Sequence, residues 1–540
     1  MKKLLILIPI LTCQLLYSQK LAPQTYWFYL KDKPQGSYST SNPADYLSQR
    51  SIDRRAWQGL PVDQRDLPVW SAYLDSLRSK GIVIRSVSRW LNGVAVVLPA
   101  PLTPEEVSTY SFISALPWEP DPYDLYYPPK PSGERFSSTL PAREPDYGMS
   151  AAQVKQIALE RLHEAGYTGS GVWISVMDAG FDRADILPAF DSLFATDRIL
   201  KTRDFVNPGG GVYGYHYHGM SVLSIIGGYI PGELCGTAPD ASFILCRTED
   251  GDSELKIEES NWIAAAEWAD SLGADVLNTS LGYSVFDDPE MNYSYSDLDG
   301  HSTLISQAAS LLAGRGMVLS VSAGNEGAKE WYYISAPADA ENVLTVGAVD
   351  SLGVIAAFSS RGPTWDHRIK PDVCAMGYQT AIQSTDSTVR RGNGTSYSSP
   401  VMAGAMACLW QVFPEMPAED LIRLVISYAD RSADPDITYG FGIPDLSRPL
   451  TVSVPVVTAG NSLFFYPNPC RYSFTYVLPG GEEQEDDLLS LTDLQGRIVM
   501  ETRATAGTPV SLPENLAPGL YLLGIHNGNG SHYGRIIVER

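Results

Sequence analysis

Four short stretches, far apart in the 540-residue chain, hold the residue types that acyl transfer requires. Asp178 ends the apolar run "GVWISVMD", and His218 opens "HGMSVLSIIGG". Asn325 lies in the turn "SVSAGNEG", and Ser396 in "NGTSYSSPVMAG", where a run of small and apolar residues begins. A serine hydroxyl is a poor nucleophile until a base takes its proton, which an imidazole does near neutral pH. A carboxylate beside that imidazole fixes its tautomer and stabilises the imidazolium. The developing oxyanion needs donors aimed at it, and the Asn325 side-chain amide and the Ser396 backbone N–H are of that kind. A helix starting at Ser396 adds the positive end of its dipole. Pro400 is expected to be harmless as a first-turn residue, because first-turn amides have no helical acceptor. His216, in "YHYHG", competes for the role of base; the glycine and helix after His218 favour His218.

Such residues must be held by a rigid frame. From about 149 to 449 the sequence alternates apolar strands with helices. The strand candidates are "GVWISVMD", "ASFILCR", "ADVLNTSLG", "GMVLSVSAGN" and "NVLTVGAV". Between them lie the helix candidates "VKQIALERLHEAG", "HGMSVLSIIGG", "EESNWIAAAEWADSLG" and "TLISQAASLLAGRG". This predicts an α/β domain whose parallel sheet is covered by helices on both faces, with chemistry at the carboxyl ends of the strands.

Before it, residues 20–118 read as a small α+β unit, with strands in "QTYWFYL" and "NGVAVVLP" and a first helix signalled by Asn42 and Pro43. A linker rich in Pro, Tyr and acidic residues, 119–148, comes next. After a second linker, 450–460, residues 461–540 show short strands broken by Gly, Asn and Pro, an all-β pattern. Residues 1–19 have two lysines followed by an apolar stretch, the pattern of a cleaved signal peptide, too short to span a bilayer. Cys13 follows Thr12, where a lipoprotein would carry a smaller residue.

Together the stretches resemble the subtilase family of serine peptidases. "SVMDAGF", "YHGMSVLS", "SAGNEG", "FSSRGPTWDHRIKPDVCAMG" and "NGTSYSSPVMAG" match its aspartate, histidine, oxyanion, pre-serine and serine blocks, in the order Asp, His, Ser. The resemblance implies a triad of Asp178, His218 and Ser396, with an oxyanion hole from Asn325 and the Ser396 amide. Substrate would lie as an added strand against "NTSLGY", touching Ser280, Leu281, Gly282, Tyr283, Ala323 and Gly324. Three departures stand out: Ala179 after the aspartate, Ser221 in place of a second histidine, and Tyr283 where a glycine is frequent. The 20–118 unit is similar in position to subtilase propeptides, which inhibit by covering the cleft until removed. The stretches "FFYPNPC", "LTDLQGRIV", "LAPGLYLLGI" and "GRIIVER" resemble type IX secretion sorting domains, which implies export from a Gram-negative cell with the secretion machinery as a partner.

The remaining features narrow the reading. With 39 basic and 62 acidic residues, the net charge of −23 argues against nucleic acid as a partner. No organic cofactor or metal is implied; calcium at Asp297 and Asp299 in "SYSDLDGHST" is the weaker reading beside a solvated turn. Cys235, Cys246, Cys374, Cys408 and Cys470, an odd set, do not form a disulfide framework, although Cys235 and Cys246 are candidates to pair. The carboxylates of "TEDGDSELKIEES" read as surface charge near a substrate cleft. The predicted activity is peptide-bond hydrolysis by a secreted endopeptidase. Its alternatives are a surface binding or adhesion protein on a degenerate peptidase scaffold, and a processing peptidase that cuts mainly its own chain.

Overall fold

The computed structural model describes residues 18–34, 36–136, 145–451, 464–466, 470, 472–477, 487–493, 496–505, 508–513, 515–527 and 530–538. Residues 1–17 of the expected signal peptide, 137–144 of the first linker and 452–460 of the second lie outside them, as do parts of the quoted C-terminal stretches.

Seven parallel strands carry the frame: β1 Trp173–Asp178, β2 Ile199–Asp204, β3 Ser242–Arg247, β4 Val276–Thr279, β5 Val318–Ser322, β6 Leu344–Val349 and β7 Val373–Met376. Their order is β2-β3-β1-β4-β5-β6-β7. Every residue of β4 to β7 is buried, as a sheet covered on both faces requires. The chain starts inside the sheet at β1, crosses to β2, and returns through β3, whereas the later strands extend the other way. That reversal opens a crevice at the carboxyl end of β1, where the chain leaves to either side.

Five helices build the site and its supports: α1 Gln49–Gln58, α2 His218–Gly227, α3 Ile257–Leu272, α4 Leu304–Leu311 and α5 Thr395–Val412. Helix α5 runs across β4 to β7 and against α2, and is buried from Thr395 to Trp410. Close approach there depends on Gly404: a Cβ at that position would lie 2.0 Å from Thr237 Oγ1. The helix predicted over 154–166 is instead two short pieces, Ala151–Lys155 and Glu160–Glu164, because Ala158 takes a φ of 54° that no continuous helix contains. No helix among the described residues is long and apolar enough to cross a membrane.

The N-terminal domain is α+β, as predicted. Its antiparallel sheet runs Gln19–Ala22, Thr25–Leu30, Gly93–Val97, Val83–Ser88, with Ile113–Ser114 also pairing Thr25–Leu30. Its first helix does not start at Asn42. The Asn42 side chain donates to Asp45 Oδ2 and a single 3-10 turn results; α1 begins only after Ser48, whose hydroxyl accepts from the Ser51 amide at 3.2 Å.

This domain shares a core with α3 and α4. Leu21, Trp27, Trp90, Leu91 and Ala95 pack with Ala265, Ala266, Ala269 and Ala308. Arg54, Arg55 and Arg89 converge on Asp270 of α3, which is wholly buried, and Arg55 also reaches Asp66 at 2.8 Å. Burial would raise the Asp270 pKa, but the three guanidinium groups outweigh it and hold the carboxyl below its ordinary value. Removing the acid strands several buried cations at once. Asp270→Ala should cost about 3–5 kcal/mol, read as a lower denaturation midpoint in a Ser396→Ala background; an unchanged midpoint would refute the network's role.

The first linker is pinned at the opposite end of the sheet from Asp178. Arg135 is buried against Asp275 at 3.0 Å, beside the Arg50–Asp275 pair, and its guanidinium lies 4.5 Å from the Trp410 ring centre. The C-terminal region forms a separate unit, residues 448–540. Two antiparallel sheets, of three and four strands, enclose Phe474, Tyr476, Leu489, Leu491, Leu523, Ile525 and Ile536, which is the all-β domain expected.

Candidate active site

The apolar run of β1 ends at Asp178, which is wholly buried at the sheet's carboxyl edge. Its carboxylate faces the start of α2 because Gly219 lets the two backbones meet. A Cβ on Gly219 would lie 2.5 Å from the Gly180 carbonyl and 3.0 Å from Asp178 Cγ. His218 Nδ1 then lies 2.9 Å from both Asp178 oxygens. Burial of the imidazole lowers its pKa, but the Asp178 charge and hydrogen bond outweigh that and raise it above the usual histidine value. His216 does not share this position. Its ring stacks on Tyr217 with centres 4.6 Å apart, and its Nδ1 accepts the His218 amide at 3.2 Å.

Ser396 enters from α5. The helix starts at Thr395, so Pro400 is its sixth residue and lies beyond the four unpaired amides of a helix start. The first-turn account of Pro400 is therefore corrected. Lacking an N–H, Pro400 leaves the Ser396 carbonyl without its helical donor. Ser280, just past β4, supplies one: its hydroxyl donates to the Ser396 carbonyl at 2.9 Å. Asn278 Nδ2 donates in turn to Ser280 Oγ at 3.0 Å, and Ser399 Oγ donates to Asn278 Oδ1 at 3.0 Å. The nucleophile's backbone is thus tied to the sheet. Ser280→Ala should cost about 1–3 kcal/mol by leaving that carbonyl unpaired, seen as a lower denaturation midpoint in the Ser396→Ala background; no shift would disprove the pairing's value.

The Ser396 hydroxyl donates to the Ser280 carbonyl at 3.2 Å rather than to His218. The Tyr397 ring stacks on the His218 imidazole at 6.0 Å, which keeps base and nucleophile on one side of the domain. Asn325, after β5, is held by Thr395: its Oδ1 accepts the Thr395 amide at 2.9 Å and hydroxyl at 3.1 Å. That turns Nδ2 toward Gly394, where an added Cβ would lie 3.9 Å from Asn325 Nδ2 and 3.8 Å from Ser396 Cβ. Thr395 went unnoticed in the sequence, although a hydroxyl beside the nucleophile at a helix start was the available signal.

A cleft of ≈ 440 Å³ adjoins Asp178 and His218 and continues along Leu281, Gly282 and Tyr283. Its lining comes from residues 178–287, and none from the N-terminal domain. Tyr283 pairs both its backbone groups with Ala336, at 2.8 and 3.1 Å. Gly282 faces the other way, and its N–H and C=O have no partner among the described residues, leaving an edge for an added strand. Ala323 and Gly324 lead from β5 into the turn; Ala323 pairs with Val346, and the Gly324 amide donates to Thr395 Oγ1 at 3.1 Å. The departure at Tyr283 is structural: the ring is 1% exposed, stacked near Phe286, and its hydroxyl donates to Glu249 Oε2 at 2.6 Å.

Asp297 caps Ser294, and Asp299 accepts the amides of His301 and Ser302, so both close turns. No group of three or more His, Cys, Asp or Glu among the described residues is arranged to hold a metal. No disulfide joins the described cysteines, the candidate pair Cys235 and Cys246 included.

The subtilase family profile matches residues 169–443, half of the chain. The chain belongs to the subtilase family. A Bacteroidota propeptide domain of S8 peptidases matches residues 25–130, and a secretion-system C-terminal sorting domain matches 464–539. These two flanking domains mark the subtilase for type IX secretion, to the outside or the surface of a Gram-negative cell. It is 32% identical over 273 residues to subtilisin-like protease SBT6.1 of Arabidopsis thaliana, covering 49% of this chain and 23% of the relative. To subtilisin E of Bacillus subtilis it is 27% identical over 348 residues, covering 63% and 76%. Among solved structures it is similar to MycP3 protease from the type VII (ESX-3) secretion system, at 21% identity and a TM-score of 0.45, covering 59% of this chain and 93% of that one.

Proposed function

We propose that this chain is a secreted serine endopeptidase, made with a signal peptide, a propeptide and a sorting domain that are trimmed around the 149–449 catalytic region. The observation that carries the reading is His218 Nδ1 held between both oxygens of buried Asp178, beside the helix start that bears Ser396. Ser396 Oγ attacks the scissile carbonyl while His218 Nε2 takes its proton, and Asp178 stabilises the imidazolium. Asn325 Nδ2 and the Ser396 amide receive the oxyanion. His218 then protonates the leaving amine, the acyl-enzyme forms, and water reverses the sequence. The peptide lies as an added strand on Gly282. The propeptide serves as the enzyme's own inhibitor, and other proteins are its substrates. A fluorophosphonate probe should label the purified secreted protein covalently, and casein should be cut; a protein that resists the probe while folded is a binding protein, not a peptidase.

A further inference from the structure

The cleft beside His218 carries more acid than the mechanism uses. Besides Asp178 it is lined by Glu249, Asp250, Asp252, Glu254, Glu258 and Asp287, with no Lys or Arg. They come from the loop that leads into α3, from Glu258 in that helix's first turn, and from Asp287 after β4, whose carboxylate accepts the Glu254 amide at 3.0 Å. The nearest cations are engaged elsewhere. Arg247 pairs with Asp204 at 3.1 Å and comes only within 3.6 Å of Asp250. The Lys256 ammonium lies over the Tyr293 ring at 3.9 Å, and Lys20 pairs with Asp288 at 2.7 Å. Among the described residues, Glu249, Asp252, Glu254, Glu258 and Asp287 have no basic partner within 4.0 Å.

Their neutral partners satisfy hydrogen bonds without cancelling charge. Glu249 accepts from Tyr283 and Thr248, both at 2.6 Å, and Glu258 accepts the Asp250 and Leu255 amides. Burial first, then neighbouring carboxylates, raises the Glu254 pKa to about 7 and pushes Glu249 and Glu258 upward too. Carboxyl groups kept protonated by burial and by one another ionise when a positive charge enters their shared cavity, and gain from its presence. A metal ion is not the fitting occupant, because the described acids do not converge into a group that could hold one. A Lys or Arg side chain is: its long apolar stem passes Leu281 and its charge spreads over several carboxylates without close coordination.

Resting on the peptidase reading of this cleft, we infer that it selects peptides with a Lys or Arg side chain close to the scissile bond, drawn by Glu249, Asp252, Glu254, Glu258 and Asp287. The selection is tested by binding, which needs no turnover. Full-length Ser396→Ala is titrated, by fluorescence anisotropy, with paired peptides that differ only in arginine against the neutral isostere citrulline, scanned along the chain. At one position the arginine peptide should bind at least about tenfold tighter. That ratio should fall at least about threefold when Asp252→Asn and Glu254→Gln, both on the accessible loop, are added. It should also shrink as salt rises from about 0.05 to about 0.5 M. A ratio near one at every position overturns the inference, as does a ratio indifferent to the two substitutions. Displacement of the arginine peptide by micromolar calcium overturns it too, and assigns the acids to a metal. Probe labelling of the wild type is scored separately: labelling without charge selection sinks only this inference, and selection without labelling sinks only the peptidase reading.

Discussion

Ser396→Ala should lower kcat/KM on any peptide substrate by on the order of 10⁶-fold while leaving the fold intact, since methyl replaces hydroxyl at a site only 9% exposed. The residual rate should still exceed that in water, because the Asn325 amide and the bound geometry survive. His218→Ala should lose nearly as much, and the double variant little more, because nucleophile and base act as one unit. Initial rates on a fluorogenic peptide, normalised to folded protein by circular dichroism, measure this. A Ser396→Ala chain that keeps more than about a hundredth of wild-type activity would move the nucleophile elsewhere.

Asp178→Asn should lower kcat by about 10⁴-fold, with a signature that mere damage lacks. The asparagine NH₂ group would face His218 Nδ1 and force the proton onto Nε2, the atom that must accept from serine. The pH profile should move as well. The imidazole acts as base only when neutral, so activity rises with pH through its pKa. In the wild type Asp178 holds that pKa above the ordinary histidine value, so the acid limb lies above it. Without the charge, burial alone remains and the limb should shift downward. Measuring kcat/KM from about pH 5 to about pH 9 for both proteins decides the matter; a limb that stays in place would mean another group titrates.

Much of the site was legible because its chemistry is local. Asp178 must end a strand and Ser396 must start a buried helix, so each leaves an apolar run on one side and a turn on the other. The strand candidates that became β1, β3, β4, β5 and β6 were continuous apolar runs. Two strands left weaker signals: β2, "ILKTRD", is an edge strand with exposed polar residues, and β7 has four residues inside the pre-serine block. Pairings across the chain left none. Arg54 and Asp270 are 216 residues apart, and Ser280 and Ser396 are 116 apart, so no periodicity relates them. The acids of "TEDGDSELKIEES" could be counted in the sequence, but only the fold brings them beside Asp287, whose carboxylate accepts the Glu254 amide, in the cleft that Gly282 also lines.

Asp275 grips two arginines, Arg50 from the N-terminal domain and Arg135 from the connector after it. A single hydrolytic nick between Arg135 and Tyr147 therefore breaks covalent continuity without letting go of the leading fragment. That fragment stays clasped by buried ion pairs and by a common apolar core, so severing and departure are separate events. Were the connector cut there, the interval between the two would depend on how slowly Asp275 and Asp270 give up their arginines to water.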